Sequence, residues 1–369
     1  MDQRICVLSG IYPPNTGGPA KFAHAFPQYL SQLGIPCSVI TYTDVETSEQ
    51  LSDGVWVSQI SRKNPLPRRY LLFIRRIRQE ARSGSIFIAN GCFLEMLMAS
   101  LTTRVKYIAK VPGDIVWERA RNSNRTQLGI DDFQESKLSV SLRLFRFLFS
   151  LSLTRSSLVV VPSTHLFELC LNWGVPRDQI ILVHNSVSIS TFSPQASSCK
   201  KFDVVAVNRL VSWKGTEEVI KACAELKLSL LVIGDGPERS ALKEAAIKYG
   251  SAVNFHGEAQ QDAIVELLNS AQVFILNSNF EATSYALLEA RSCGLAAIAR
   301  EGTGSEEVIH HMEDGILCGA KSGLAIETAL KTLFSSPSLL LEMGSKARLD
   351  VETRFNSDVN FRRILDACG

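Results

Sequence analysis

Val273–Arg291 reads VFILNSNFEATSYALLEAR. Its first four residues are an apolar run short enough for a buried parallel strand, and Asn277–Phe280 is polar enough to be the loop leaving that strand's carboxyl end. Ala286, Leu287, Leu288 and Ala290 are strong helix formers, with Thr283 or Ser284 as the N-cap. Strand, loop and helix in that order make one α/β unit. It sets Glu281 just outside the helix and Glu289 inside it, at the end of the sheet where open α/β folds place ligands. The N–H groups of Tyr285, Ala286 and Leu287, with the positive end of the helix dipole, are expected to form a phosphate site. A carboxylate repels phosphate, so Glu281 and Glu289 are expected to meet hydroxyl groups instead. The pair therefore points to a ligand with phosphate and polyhydroxyl parts; in isolation, two solvated glutamates at a helix start would be the alternative.

The same rhythm extends in both directions. Upstream, Asp203–Val207, Leu228–Ile233 and Val253–Phe255 read as strands, and Ala296–Ala299 follows, with helical patterns between them. A first set of runs, Arg4–Ser9, Ser38–Thr43, Val55–Ile60, Ile86–Ala89, Val105–Ala109, Leu158–Val161 and Ile180–Val183, has the same spacing. Two doubly wound parallel sheets are expected. Between them the periodicity stops: Asn185–Lys201 is Ser-rich with a proline and reads as a linker. The domains are thus expected at residues 1–190 and 202–351. A closing helix, 352–369, is expected to return to the first.

The chain has 369 residues, 46% of them hydrophobic and 21% charged, enough for two cores. The formal charge of +2 hides an asymmetry: residues 1–200 carry 22 Lys/Arg against 14 Asp/Glu, and the rest 17 against 23. The basic half is suited to an anionic ligand or surface. Nine scattered cysteines without a C-x-x-C pair argue against a disulfide framework or a zinc site. No apolar leader follows MDQR and no run reaches spanning length, so a cytoplasmic protein is expected.

Further candidates lie at other strand ends. Arg209 and Lys214, in NRLVSWKG after Asp203–Val207, supply two cations suited to a diphosphate. Gly17 and Gly18, before a helix from Pro19 to Leu33, allow close backbone approach to an anion or sugar. Gly234 opens a GDG turn, but Arg239 stands where a dinucleotide fingerprint needs its third glycine, so a nucleotide-facing turn is the better reading. The chain has no D-x-D pair to hold a divalent ion, so cleavage of a sugar nucleotide would leave the diphosphate to Arg209 and Lys214.

Two basic stretches of the first half stand apart. In Leu66–Arg82, Tyr70, Phe73, Ile74 and Ile77 share a helical face, and six arginines crowd the remainder. Such a helix is compatible with an anionic membrane surface. Leu138–Thr154 is apolar nearly all round, and reads as a core helix or one partly set in lipid.

The order of Gly17-Gly18, NRLVSWKG (Asn208–Gly215), GDGPERSAL (Gly234–Leu242), NFHGEA (Asn254–Ala259), FEATSYALLEARSCG (Phe280–Gly294) and GTGSEEVIHHMEDGIL (Gly302–Leu317) resembles the large retaining glycosyltransferase family four, of GT-B fold. The resemblance implies two Rossmann-like domains facing across a cleft, with a nucleotide-sugar donor bound mainly by the second. It implies Arg209 and Lys214 on the diphosphate, Glu289 on the ribose and Glu281 on donor-sugar hydroxyls. Thr283, Ser284 and Tyr285 would lie along the diphosphate, and Gly18 beside it. Glu307 matches the acid of the family's later G-x-x-E segment.

The implied reaction retains configuration by same-face attack, without a metal or other cofactor, on a glycan or lipid-linked acceptor in cell-surface polysaccharide or glycolipid synthesis. Three departures qualify it. The histidine common after the strand at Val105–Ala109 is missing, leaving Lys110 and Asp114 as polar candidates and Asp114 as the acceptor-side choice. The P-N-G-V-D hinge reads His184-Asn185-Ser186-Val187-Ser188, with His184 fitting a satisfied strand-end histidine. Ala282 and Thr283 stand where glycine is common. An inactive nucleotide-sugar-binding partner subunit is the alternative these departures leave. Nucleic acid is not an expected partner; an anionic membrane surface is.

Overall fold

The structure, a computed structural model, describes residues 4–52, 54–103, 105–195, 199–302, 304–319, 321 and 325–369. The chain divides into two compact units, Met1–Val183 with Phe361–Gly369, and His184–Asn360.

In the first unit the strands are β1 (Ile5–Ser9), β2 (Cys37–Thr43), β3 (Ser48–Ser52), β4 (Val55–Ser61), β5 (Ile86–Asn90), β6 (Tyr107–Lys110), β7 (Leu158–Val161) and β8 (Ile180–Leu182). They form one sheet in the order β3-β4-β2-β1-β5-β6-β7-β8, parallel except for the β3–β4 hairpin. The central strands are buried on both faces, which is why they read as continuous apolar runs. Helices α1 (Gly18–Gln32), α2 (Leu66–Arg82), α3 (Phe93–Ser100), α4 (Ile115–Asn122), α5 (Ile130–Glu135), α6 (Val140–Thr154) and α7 (Thr164–Asn172) connect them. The chain moves from β1 outward to β2 and β4, then resumes at β5 on the other side of β1. The switch point of this sheet therefore lies between β1 and β5.

The second unit carries β9 (Phe202–Val207), β10 (Leu230–Ile233), β11 (Val253–Gly257), β12 (Ala271–Leu276), β13 (Ala296–Arg300) and β14 (Ile316–Cys318). All are parallel, in the order β11-β10-β9-β12-β13-β14, with the switch point between β9 and β12. Its helices are α8 (Thr216–Leu226), α9 (Arg239–Tyr249), α10 (Gln261–Asn269), α11 (Tyr285–Ser292), α12 (Ile326–Phe334) and α13 (Pro337–Arg354).

Two expectations change here. Asn185–Lys201, of which 196–198 lie outside the described residues, is not a free linker. Val187 and Phe192 are buried in the core of the second unit, and Val187 N–H bonds the Phe355 carbonyl at 2.9 Å. The serines dominated the sequence pattern, but two well-spaced apolar side chains anchor the segment. The closing helix is interrupted as well: α13 ends at Arg354 and α14 (Ser357–Asp366) follows, so the return to the first unit begins only at Phe361. Phe361 and Ile364 enter that unit's core beside Phe22 and Phe26 of α1, with ring centroids of Phe26 and Phe361 5.4 Å apart.

Candidate functional site

Asn208 and Arg209 leave β9, and Asn277 leaves β12, so the two loops at the switch point of the second unit begin side by side. They are laced together. Asn277 Nδ2 donates to the Gly215 carbonyl at 3.0 Å, and Asn279 N–H to the Trp213 carbonyl at 2.8 Å. Gly215 is left-handed (φ 59°), and a Cβ there would fall 2.6 Å from the Asn277 carbonyl oxygen. Glycine thus ends the 3₁₀ turn Ser212–Lys214 and starts α8.

This turn aims Lys214 at the other loop. Its Nζ is ion-paired with Glu281 Oε1, which also accepts from Ser278 Oγ at 2.7 Å. Both side chains are mostly buried yet reach the surface, 17% exposed for Lys214 and 14% for Glu281. Arg209 is exposed at the end of β9.

Ser284 is the N-cap of α11, its Oγ accepting from Leu287 N–H at 3.4 Å. That bond takes one of the three donors expected to face a phosphate, because a serine cap satisfies the third N–H of its own helix. Thr283 is buried, and its carbonyl accepts from Asn185 Nδ2 at 2.8 Å. Glu289 is 3% exposed. Burial, reinforced by the Glu289 charge, pushes the Tyr285 hydroxyl well above its ordinary pKa, so it stays a neutral donor.

The loop carrying Glu281 is fixed from a third side by the 3₁₀ turn Gly304–Glu307. Gly304 N–H bonds the Glu281 carbonyl at 2.8 Å, and a Cβ on Gly304 would fall 1.4 Å from the Ala282 carbonyl oxygen. Glu307, in the same turn, lies 3.8 Å from His184 Nδ1. Gly234 (φ 129°) packs under the β9 loop, where a Cβ would sit 2.0 Å from the Asn208 carbonyl oxygen. That close approach of two backbones accounts for the glycine.

Arg291, at the far end of α11, is fully buried between Asp314 (3.0 Å) and Asp350 (2.9 Å). Burial alone would raise the Asp314 carboxyl, but the Arg291 guanidinium and His310 bring it below the usual range. His310, Asp314 and Asp350 lie close enough to suggest a metal centre. Arg291 already supplies the positive charge there, so the group reads as a brace for α11.

The first unit holds the remaining candidates. Gly17 (φ 135°) is the N-cap of α1 and Gly18 its first residue. Asn90, ending β5, donates from Nδ2 to the Pro19 carbonyl at 2.9 Å, tying the start of α1 to that unit's switch point. Lys110, opposite Asn90 in the sheet, lies 4.5 Å over the Phe22 ring, and burial lowers its pKa from 10.5 to about 8.

Asp114, the acceptor-side candidate, has structural partners at both oxygens. It is fully buried as the N-cap of α4, with Oδ1 accepting from Val116 and Trp117 N–H at 2.9 and 3.1 Å. Its Oδ2 accepts from Gln134 Nε2 at 3.0 Å and Arg146 Nη2 at 2.7 Å. An aspartate just before a helix caps it, and here the cap doubles as an ion pair.

Residues 190–350 match the family model described as glycosyl transferases group 1. That segment of the chain is thus similar to the group 1 glycosyl transferases. Every second-unit candidate from Arg209 to Glu307 lies within the matched segment. An amylovoran biosynthesis glycosyltransferase of Erwinia amylovora is 27% identical over 209 residues, 52% of this chain and 51% of that protein. The chain spans about half the length, or somewhat less, of the curated relatives it matches. Sucrose-phosphate synthase from Thermosynechococcus elongatus superposes with a TM-score of 0.81 at 17% identity, covering 99% of this chain and 98% of that one. Anabaena HepE, solved in complex with UDP and glucose, gives 0.78 at 17% identity and 99% coverage of both chains. These likenesses establish GT-B as the fold of the chain.

Sequence reasoning named charged candidates and passed over the groups that hold them in place. Asn208, Ser278, Gly304 and Arg291 fall inside the quoted stretches, yet nothing in the sequence singles them out as supports. The signal available was position: Asn208 and Asn277 each follow a strand directly at the switch point.

Proposed function

We propose that the chain is a glycosyltransferase that moves a sugar, with retention and without a metal ion, from a nucleoside diphosphate donor to a glycan or lipid-linked acceptor. Its product belongs to cell-surface polysaccharide or glycolipid, and it works peripherally at the cytoplasmic face of the membrane. The supporting observation is the switch point of the second unit, where Lys214, Glu281 and the start of α11 are gathered by three interlocked loops.

In this reading Arg209 and Lys214 neutralise the diphosphate as it departs. Glu281, held by Lys214 and Ser278, accepts from donor-sugar hydroxyls, and Glu289 from the ribose. Thr283, Ser284 and Tyr285 line the diphosphate, with Gly234 near the nucleotide. The bond from the anomeric carbon to the phosphate oxygen breaks as the acceptor oxygen attacks on the same face, and the departing phosphate oxygen takes the acceptor proton. No protein nucleophile is needed.

UDP sugars are the first donors to test, since HepE was solved with UDP. UDP, GDP and ADP sugars are screened by thermal shift against the wild type, Lys214→Ala and Glu281→Ala, with product followed over time. A donor that stabilises only the wild type and is turned over supports the proposal. Binding without turnover, even with lipid-extract acceptors, replaces it with a binding subunit, and no binding by any donor overturns the site.

A further inference from the structure

Three connections of the first unit, β4 to β5, β5 to β6 and β6 to β7, advance across the sheet in one direction, so the right-handed crossover rule puts α2, α3 and α6 on one side of it. α1 runs the opposite way and lies on the other side. Within the layer, α3 packs against both α2 and α6. Its outer surface combines two features that rarely share a solvated face.

On α2, Arg68, Leu71, Arg75, Arg78 and Arg82 recur at alternating spacings of three and four and are all exposed, while Phe73, Ile74 and Ile77 are buried beneath. Four arginines thus form one row. On α6, the inner face buries Leu142, Phe149 and Leu153, yet the outer face is also apolar: Val140, Leu144 and Phe147 are 73%, 58% and 61% exposed. Arg143 stands beside them. Between the two helices, α3 adds the exposed Met98.

Little balances the charge. Among the described residues of the three helices, the carboxylates are Glu80, which accepts from Ser85 Oγ, and Glu95, which is buried against the Tyr42 hydroxyl. Arg68, Arg75, Arg82 and Arg143 make no ion pair among the described residues. At the carboxyl end of the row, a recess of about 320 Å³ is bounded by Arg78, Arg82, Thr103 and Val105, with room for a phosphate headgroup.

A row of unbalanced arginines beside an outward apolar stripe matches the interface of an anionic bilayer, phosphates outside and acyl chains within. A second copy of this chain is a poorer occupant, because a self-complementary pairing sets like charges together. No described helix is long and apolar enough to cross a membrane, so contact is with its surface.

We propose that the α2–α3–α6 layer of the first unit docks on an anionic lipid bilayer, with the arginine row at the headgroups and Val140, Leu144 and Phe147 at the boundary with the acyl chains. This deepens the proposal of a lipid-linked acceptor and rests on it for its purpose only.

The test is co-sedimentation of the full chain with phosphatidylcholine vesicles, with and without phosphatidylglycerol, at low and physiological salt. Binding is expected only with the anionic lipid and weaker in salt. Arg68→Gln, Arg75→Gln and Arg82→Gln should each weaken it roughly five-fold. Leu144→Ser with Phe147→Ser should remove the salt-resistant part, and all these variants should keep the donor's thermal shift. No sedimentation at low salt, or full binding by the triple Gln variant, overturns the proposal. So does a concentration-dependent dimer abolished by Leu144→Ser/Phe147→Ser, which would assign the face to a second copy. Vesicle binding without any donor binding would sink the enzymatic reading and leave the docking face standing.

Discussion

Asp114 separates two accounts of the first unit, because a catalytic and a structural aspartate fail differently. Replacing it by alanine removes the N-cap of α4, worth about 1 kcal/mol. It also removes the charge facing Arg146, whose side chain is 15% exposed and stacked 5.0 Å from the Trp173 ring. A hydrogen bond to a charged group is worth about 1.5–3 kcal/mol, and partial exposure of Arg146 keeps the loss below that of a wholly buried pair. Asp114→Ala should therefore cost about 3–4 kcal/mol, or a melting temperature lower by about 10 °C for a unit of this size. Asp114→Asn keeps the cap, but its amide turns the second oxygen into a donor facing the donors of Gln134 and Arg146. Its cost should be about 2–3 kcal/mol. Urea unfolding followed by tryptophan fluorescence reads this directly, since Trp117 N–H bonds the Asp114 cap and Trp173 bonds Gln134. Transfer measured on fully folded enzyme should stay within about two-fold of wild type. A kcat lowered about 100-fold or more with an unchanged urea midpoint is the signature of a lost general base and would refute the structural account.

Two further outcomes follow from the same geometry. Gly304→Ala pushes a methyl group into the Ala282 carbonyl, so the Glu281 loop must shift, at a cost of about 3 kcal/mol; donor affinity should fall at least about ten-fold, and an unchanged donor titration would show that the loop does not position Glu281. Lys110→Met bears on pH. Because burial sets the folded-state pKa near 8, below the ordinary 10.5, wild-type stability should rise as pH climbs from about 8 toward 10.5, where only the unfolded chain still holds the proton. The full penalty, about 3 kcal/mol, is present below pH 8, and the methionine variant is spared it, a relative advantage that is largest at pH 7. That advantage should vanish by about pH 10.5, and parallel urea-midpoint profiles across this range would contradict it.

The α/β pattern was legible because a strand buried on both faces must be apolar throughout, as in β1 and β12. Two short strands escaped notice. β3 (SEQLS) is an exposed edge strand held by its hairpin with β4, and β14 is three residues long. Asn185–Lys201 misled because serine content was weighed above the spacing of Val187 and Phe192. The break between α13 and α14 was equally hidden: the parallel bridge of Val187 to Asn356, which interrupts the helix, pairs residues far apart in the chain.

The site divides along the same line. Charge and glycine announce themselves in a sequence, so Lys214, Glu281 and Gly234 could be named, but their joint geometry depends on groups that do not. Lys214 meets Glu281 because Asn277 and Asn279 clasp the turn before α8, and because Gly304 admits the Ala282 carbonyl where any side chain would exclude it. Asp114 is the converse case: a charged residue near a strand end attracts a functional reading, while two N–H groups, an amide and a guanidinium occupy both its oxygens. What distinguishes the two carboxylates is their partners. Glu281 faces a lysine that reaches the surface, a pair that the diphosphate of the proposed function would reorganise at low cost, since both side chains retain contact with water. Asp114 is fully enclosed, so recruiting it for chemistry would mean uncapping α4 and stranding Arg146.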